Sequence, residues 1–131
     1  MTGTGRLTLV SYLVRDYDEA IAWFTGKLGF VLLEDEVRSP TKRWVRIGPP
    51  GGGAQLLLAR ASGPGQEVQI GRAAGGRVAF FLETQDFHGD HARMTSEGVR
   101  FLEAPRHESY GWVAVFEDLY ANRWDLLEAR A

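Results

Sequence analysis

The hydrophobic positions of the chain change period in a fixed order. Residues 7–14 are rich in apolar and β-branched types. At Arg15-Asp16 the pattern turns helical, with Ala20, Ile21, Phe24 and Leu28 recurring on one face. A strand followed by a helix is predicted. Asp16 or Asp18 is placed to cap the helix, and Gly29 to end it in the left-handed conformation that glycine adopts without strain. Three strands are predicted next, at residues 30–37, 43–47 and 54–60. The run Gly48-Pro-Pro-Gly-Gly-Gly53 between the last two reads as a turn.

After a glycine-rich polar stretch at residues 61–76 the same order returns: a strand at 77–82, a helix at 86–97 closed by Gly98, and strands at 99–103, 112–117 and 124–128. An offset of 68 residues lays Trp44-Val45 on Trp112-Val113 and Ile47 on Val115, whereas Gly29 and Gly98 differ by 69. One residue of slip reconciles the halves. The expected fold is α+β, a single domain over residues 1–131 built from two β-α-β-β-β modules, 7–60 and 77–128, with a linker at 61–76.

Composition narrows the functions open to such a chain. Its 131 residues, 44% of them apolar, suffice for one real core. The net charge is −2 and the basic residues are scattered, so the stripe that nucleic acid requires is missing. There is no cysteine, which rules out disulfides, thiolate zinc sites and a cysteine nucleophile, and fits a reducing compartment. No apolar run approaches the roughly 18 residues of a membrane span, and Met1-Thr-Gly-Thr-Gly-Arg6 does not read as a leader. A cytoplasmic protein with neither nucleic-acid nor membrane partners is expected.

Several segments carry a resemblance: Val14-Arg-Asp-Tyr-Asp-Glu-Ala-Ile-Ala-Trp-Phe with Leu28-Gly-Phe30, Gly98-Val-Arg-Phe101, Tyr110-Gly111, and Phe116-Glu-Asp-Leu-Tyr-Ala-Asn-Arg-Trp-Asp-Leu-Leu-Glu128. Together they resemble the vicinal oxygen chelate superfamily, which includes glyoxalase I, extradiol dioxygenases, fosfomycin-resistance transferases and bleomycin-resistance proteins. The last segment is similar to a Phe-x-Asp-Pro-x-Gly-Asn-x-Trp-Glu-Leu pattern in which Leu119 replaces the proline, Ala121 the glycine and Asp125 the glutamate. The resemblance implies curved mixed sheets around a small-molecule cavity. It also implies a divalent metal held from the first and last strands of each half by His, Gln or Glu. Those positions here read Leu9, Leu57, Arg77 and Asp125. One carboxylate beside a permanently charged guanidinium does not make a metal site, so no metal or other cofactor is expected.

Strand alternation extends the candidate lining. Ser11 joins Leu9, Gln55 joins Leu57, Ala79 and Phe81 join Arg77, and Arg123 and Leu127 join Asp125. With Val45, Ile47, Val113 and Val115 turned toward the helices, Trp44, Arg46 and Trp112 face the ligand, and Tyr110 completes the candidate contacts. An Arg77–Asp125 ion pair is expected where relatives hold a cation. His107 is a candidate proton carrier in a loop. His88 and His91, three residues apart on a helix, read as surface histidines. The leading expectation is a metal-free, homodimeric binding protein that sequesters an aromatic or oxygen-rich compound. The alternatives are a glyoxalase-like lyase or isomerase using Arg77 with Asp125 or His107, and a dimeric interaction module with a vestigial pocket.

Overall fold

The computed structural model describes residues 2–129 and divides into two compact units, one ending at Val68 and the other beginning at Gln69. The first contains β1 (Leu9–Val14), α1 (Tyr17–Lys27), β2 (Val31–Ser39), β3 (Lys42–Gly48), β4 (Gln55–Arg60) and a short helix α2 (Gly63–Glu67). Its four-stranded sheet has the order β1-β4-β3-β2, with β1 parallel to β4 and the other pairs antiparallel. Asp16 caps α1 by accepting from the Glu19 N–H at 2.8 Å, and Gly29 ends the helix at φ 70° while the Phe30 N–H returns to the Phe24 carbonyl. The apolar face of α1 then meets the sheet: Ala20, Phe24, Val14, Val45, Ile47 and Leu58 are buried, with the Tyr12 and Phe24 rings edge-on at 5.4 Å.

The second unit contains β5 (Val78–Glu83), α3 (Phe87–Ser96), β6 (Arg100–Phe101), β7 (Arg106–Glu108), β8 (Gly111–Glu117) and β9 (Arg123–Ala129). Its strands run in the order β5-β9-β8-β6, with β7 paired to β8 and β5 parallel to β9. Helix α3 is capped by Asp86 and by Glu128, whose carboxylate accepts from the Phe87 N–H at 2.7 Å. Each unit therefore repeats strand, helix, strands. The α+β expectation holds, and among the described residues no helix is long and apolar enough to cross a membrane.

Two details differ from the sequence reading. The strand expected at residues 99–103 is only β6, and the chain pairs with β8 again as β7 after Ala104-Pro105. Proline has no N–H to give a ladder, so the pairing breaks there. The stretch expected to be pure linker contains α2, with Pro64 in its first turn, where a missing N–H costs nothing.

The turn between β8 and β9 is organised by Asp118. This carboxylate is only 5% exposed and accepts from the backbone N–H groups of Tyr120 and Asn122 and from the Trp124 indole at 2.9 Å. Asn122 in turn accepts from the Ala73 N–H, fastening the preceding loop. Closing this turn drives Ala121 to φ 67°, which makes it the one non-glycine residue with positive φ among those described. A Cβ in that conformation costs about 1–2 kcal/mol, of which glycine would return part through its freer unfolded chain. Ala121→Gly is therefore expected to stabilise the fold by about 0.5–1 kcal/mol. Urea unfolding should show a raised midpoint at unchanged slope; a lowered midpoint would refute the strain.

Candidate functional site

Because α1 covers one face of the first sheet, the alternate residues of its strands lie on an open face. Register places Leu9 beside Gln55, Ser11 beside Leu57, Leu57 beside Arg46, and Arg46 beside Glu34. These side chains are half-buried, apart from an exposed Ser11. Glu34 organises the polar part. Its Oε1 accepts from Trp44 Nε1 at 2.9 Å and from Arg46 Nε at 2.8 Å, and Arg46 Nη1 donates to Gln55 Oε1 at 2.5 Å. The Arg46 hydrogen bond, helped by that from Trp44, holds the Glu34 carboxyl below its ordinary pKa against the opposing effect of desolvation. The Arg38 guanidinium lies 5.5 Å from the centre of the Trp44 ring. Gln55 accepts from Arg46 through its carbonyl oxygen and carries two amide N–H donors besides. The arrangement is an indole held at its nitrogen edge beside donors for carbonyl or phenolic oxygens.

The second sheet also has a face turned away from α3. Asp125 sits there in one row with Phe81 and Val115. Its Oδ1 is sealed from solvent with no hydrogen-bond partner, and burial pushes its pKa up, the nearby Glu103 carboxylate reinforcing that and Arg106 opposing it. Arg106 Nε donates to both oxygens of Glu103, at 3.1 and 3.0 Å, and its Nη1 to Glu108 at 2.8 Å. These two carboxylates raise the Arg106 pKa above its ordinary value. Glu103 also accepts from the Val115 N–H at 3.1 Å, which fixes the ion pair to β8.

Leu9, Ser11, Trp44, Arg46, Gln55 and Leu57 thus lie on one face of the first sheet, whereas in the second unit several residues lie elsewhere than expected. Arg77 is exposed, lies before β5 begins, and forms no ion pair with Asp125. The charges bearing on Asp125 are instead those of Arg106 and Glu103, which sequence reasoning missed. Trp112 faces the helix: His107 stacks on it at 4.5 Å, His88 meets it edge-on at 4.7 Å and Phe87 stacks at 6.0 Å. His107 accordingly points away from the Asp125 face. His91 is not a surface residue but a half-buried one packed against Phe101 at 4.2 Å, its pKa lowered by burial and by His88. Tyr110 and Arg123 are exposed, and Phe81 is 66% exposed on the Asp125 row.

The inversion of Trp112 has a simple cause. The turn from β3 to β4 has six residues and that from β8 to β9 five, so helix-facing Val45 and Ile47 correspond to Ala114 and Phe116, an offset of 69 rather than 68. One residue of slip turns every side chain to the other face. At β4 and β9 the offset is 68 again, which is why Leu57 and Asp125 do correspond. This leaves Leu9 and Leu57 without donor atoms and Asp125 as one carboxylate, a set that does not fit a divalent cation. Among the described residues no three His, Cys, Asp or Glu side chains converge as a metal site.

The model of the Glyoxalase/Bleomycin resistance protein/Dioxygenase superfamily matches residues 6–126. A protein of Shewanella frigidimarina (strain NCIMB 400) is 52% identical over 121 residues, covering 91% of this chain and 90% of that one. YetH of Bacillus subtilis (strain 168) is 27% identical over 120 residues, covering 91% and 94%. Among solved structures, UcmS2 superposes with a TM-score of 0.80 at 27% identity, covering 95% of this chain and 98% of its own. TnmS3, an antibiotic binding protein from Streptomyces sp. CB03234, superposes with a TM-score of 0.79 at 25% identity, covering 99% and 100%.

The raised pKa of Asp125 fixes a sign for stability against pH. Between the ordinary and the raised value the folded chain binds more protons than the unfolded one, so this residue's contribution falls as pH rises through that window. Asp125→Asn removes the charge penalty. Urea unfolding should find the variant more stable than wild type at neutral pH, with the difference shrinking toward acid pH; a variant less stable at neutral pH would contradict the assignment.

Proposed function

The chain belongs to the glyoxalase/bleomycin resistance protein/dioxygenase superfamily, and we propose that within it this protein is a metal-independent binder that sequesters an aromatic, oxygen-rich small molecule on the open face of its first sheet. The observation that carries this reading is the Trp44–Glu34–Arg46–Gln55 chain of hydrogen bonds. It holds a large aromatic surface and two kinds of donor in fixed positions before any ligand arrives, which lowers the ordering cost of binding. Leu9 and Leu57 supply apolar contact where metal-dependent relatives need donor atoms. The structural similarity to TnmS3, an antibiotic binding protein, supports binding rather than turnover as the activity.

Binding of planar aromatic compounds bearing carbonyl or hydroxyl groups should quench tryptophan emission, and the response should disappear in Trp44→Phe. Arg46→Ala and Trp44→Ala are each expected to weaken affinity about tenfold or more, as truncation of a central anchor does. Quenching that survives in Trp44→Phe would place the ligand elsewhere. Elemental analysis after growth in metal-supplemented medium tests the metal independence, which a stoichiometric transition metal would overturn.

A further inference from the structure

We propose that the face of the second sheet turned away from α3 is a subsite for an organic ammonium group, with the Asp125 carboxylate as its acceptor and Phe81, Val115 and Leu127 as its apolar surround. The inference rests on the small-molecule reading and deepens it, but it depends on different residues.

Three observations converge on it. First, Oδ1 of Asp125 is sealed and has no hydrogen-bond partner, so water reaches this carboxylate only from its other oxygen. A poorly hydrated anion gains more from an incoming cation than a surface carboxylate does. Second, the local charges do not cancel. Arg106 (+1) stands against Glu103, Glu108 and Asp125 (−1 each), which leaves −2, and the guanidinium is already committed to Glu103 and Glu108. Farther along the strands Arg100, Glu117 and Arg123 sum to +1 and Glu83 gives −1, so these outer groups offset one another and the deficit stays at the centre. Third, the surround is apolar: Val115 and Leu127 are half-buried, and Phe81, in register with Asp125, exposes 66% of its surface. An aromatic face beside a carboxylate suits a cation with a hydrocarbon periphery. A divalent metal is the poorer match, because among the described residues no three His, Cys, Asp or Glu side chains are grouped to hold one, and Glu103 and Glu108 already accept from Arg106.

Benzylammonium and its neutral counterpart, benzyl alcohol, test the assignment by NMR on the whole chain. Benzylammonium should shift the Asp125 carboxyl carbon and the resonances of Phe81 and Val115, while benzyl alcohol at equal concentration leaves them in place. Asp125→Asn should weaken the ammonium by about tenfold or more, and Phe81→Ala, a change at an exposed site, should weaken it as well. Equal response to the alcohol, no response at Asp125, or unchanged affinity in Asp125→Asn would overturn the subsite. Trp44 quenching by planar aromatic compounds is read on the same protein. Its survival beside a silent Asp125 removes this inference alone, whereas its absence removes the parent reading.

Discussion

Each sheet packs a helix against one of its faces, and the chemistry of the molecule follows from that constraint. Alternation along a strand sends every second residue to the helix, where Val45, Ile47 and Leu58 of one unit and Phe116, Trp124 and Leu126 of the other are buried. The residues between them are thereby fixed on the opposite face without having to contribute to that core. They are free to be tryptophan, arginine, glutamine or aspartate, and in these positions they are.

Two aspartates of the second unit show how differently the fold treats the same side chain. Asp118 is buried, yet three donors converge on it, so its charge is compensated and holds a turn together. Asp125, seven residues on, has one oxygen sealed with no donor at all, and its charge is penalised by desolvation. A structural carboxylate is satisfied within the chain. One that is left unsatisfied keeps its desolvation penalty. Glu34 in the first unit follows the structural pattern, its charge spent on fixing Trp44 and Arg46.

Much of this was legible in the sequence. Helix caps, glycine stops and the repeated element order are local signals, and Asp16, Gly29 and Asp86 act as their patterns require. The open face of the first sheet was legible too, because alternation in β1, β3 and β4 runs without interruption between Leu9 and Leu57. In the second unit the identical Trp-Val pairs suggested a repeat, but a turn shorter by one residue reversed Trp112 and drew His107 after it. Nothing local to residues 112–113 encodes the length of a turn that follows them. The Arg106–Glu103 pair was hidden because Pro105 divides what reads as one strand and its loop. Only after β7 returns to β8 do Glu103 and Arg106 come to bear on Asp125.

The claim on which the account stands is that ligand recognition belongs to the open sheet faces and not to the helix-covered ones. Chemical-shift mapping with a bound planar aromatic compound tests it most directly. The account predicts perturbations at Ser11, Trp44, Arg46, Gln55 and Leu57, with Val45, Ile47 and the residues of α1 little changed. Perturbations concentrated on α1 and the buried side of β3 would contradict it.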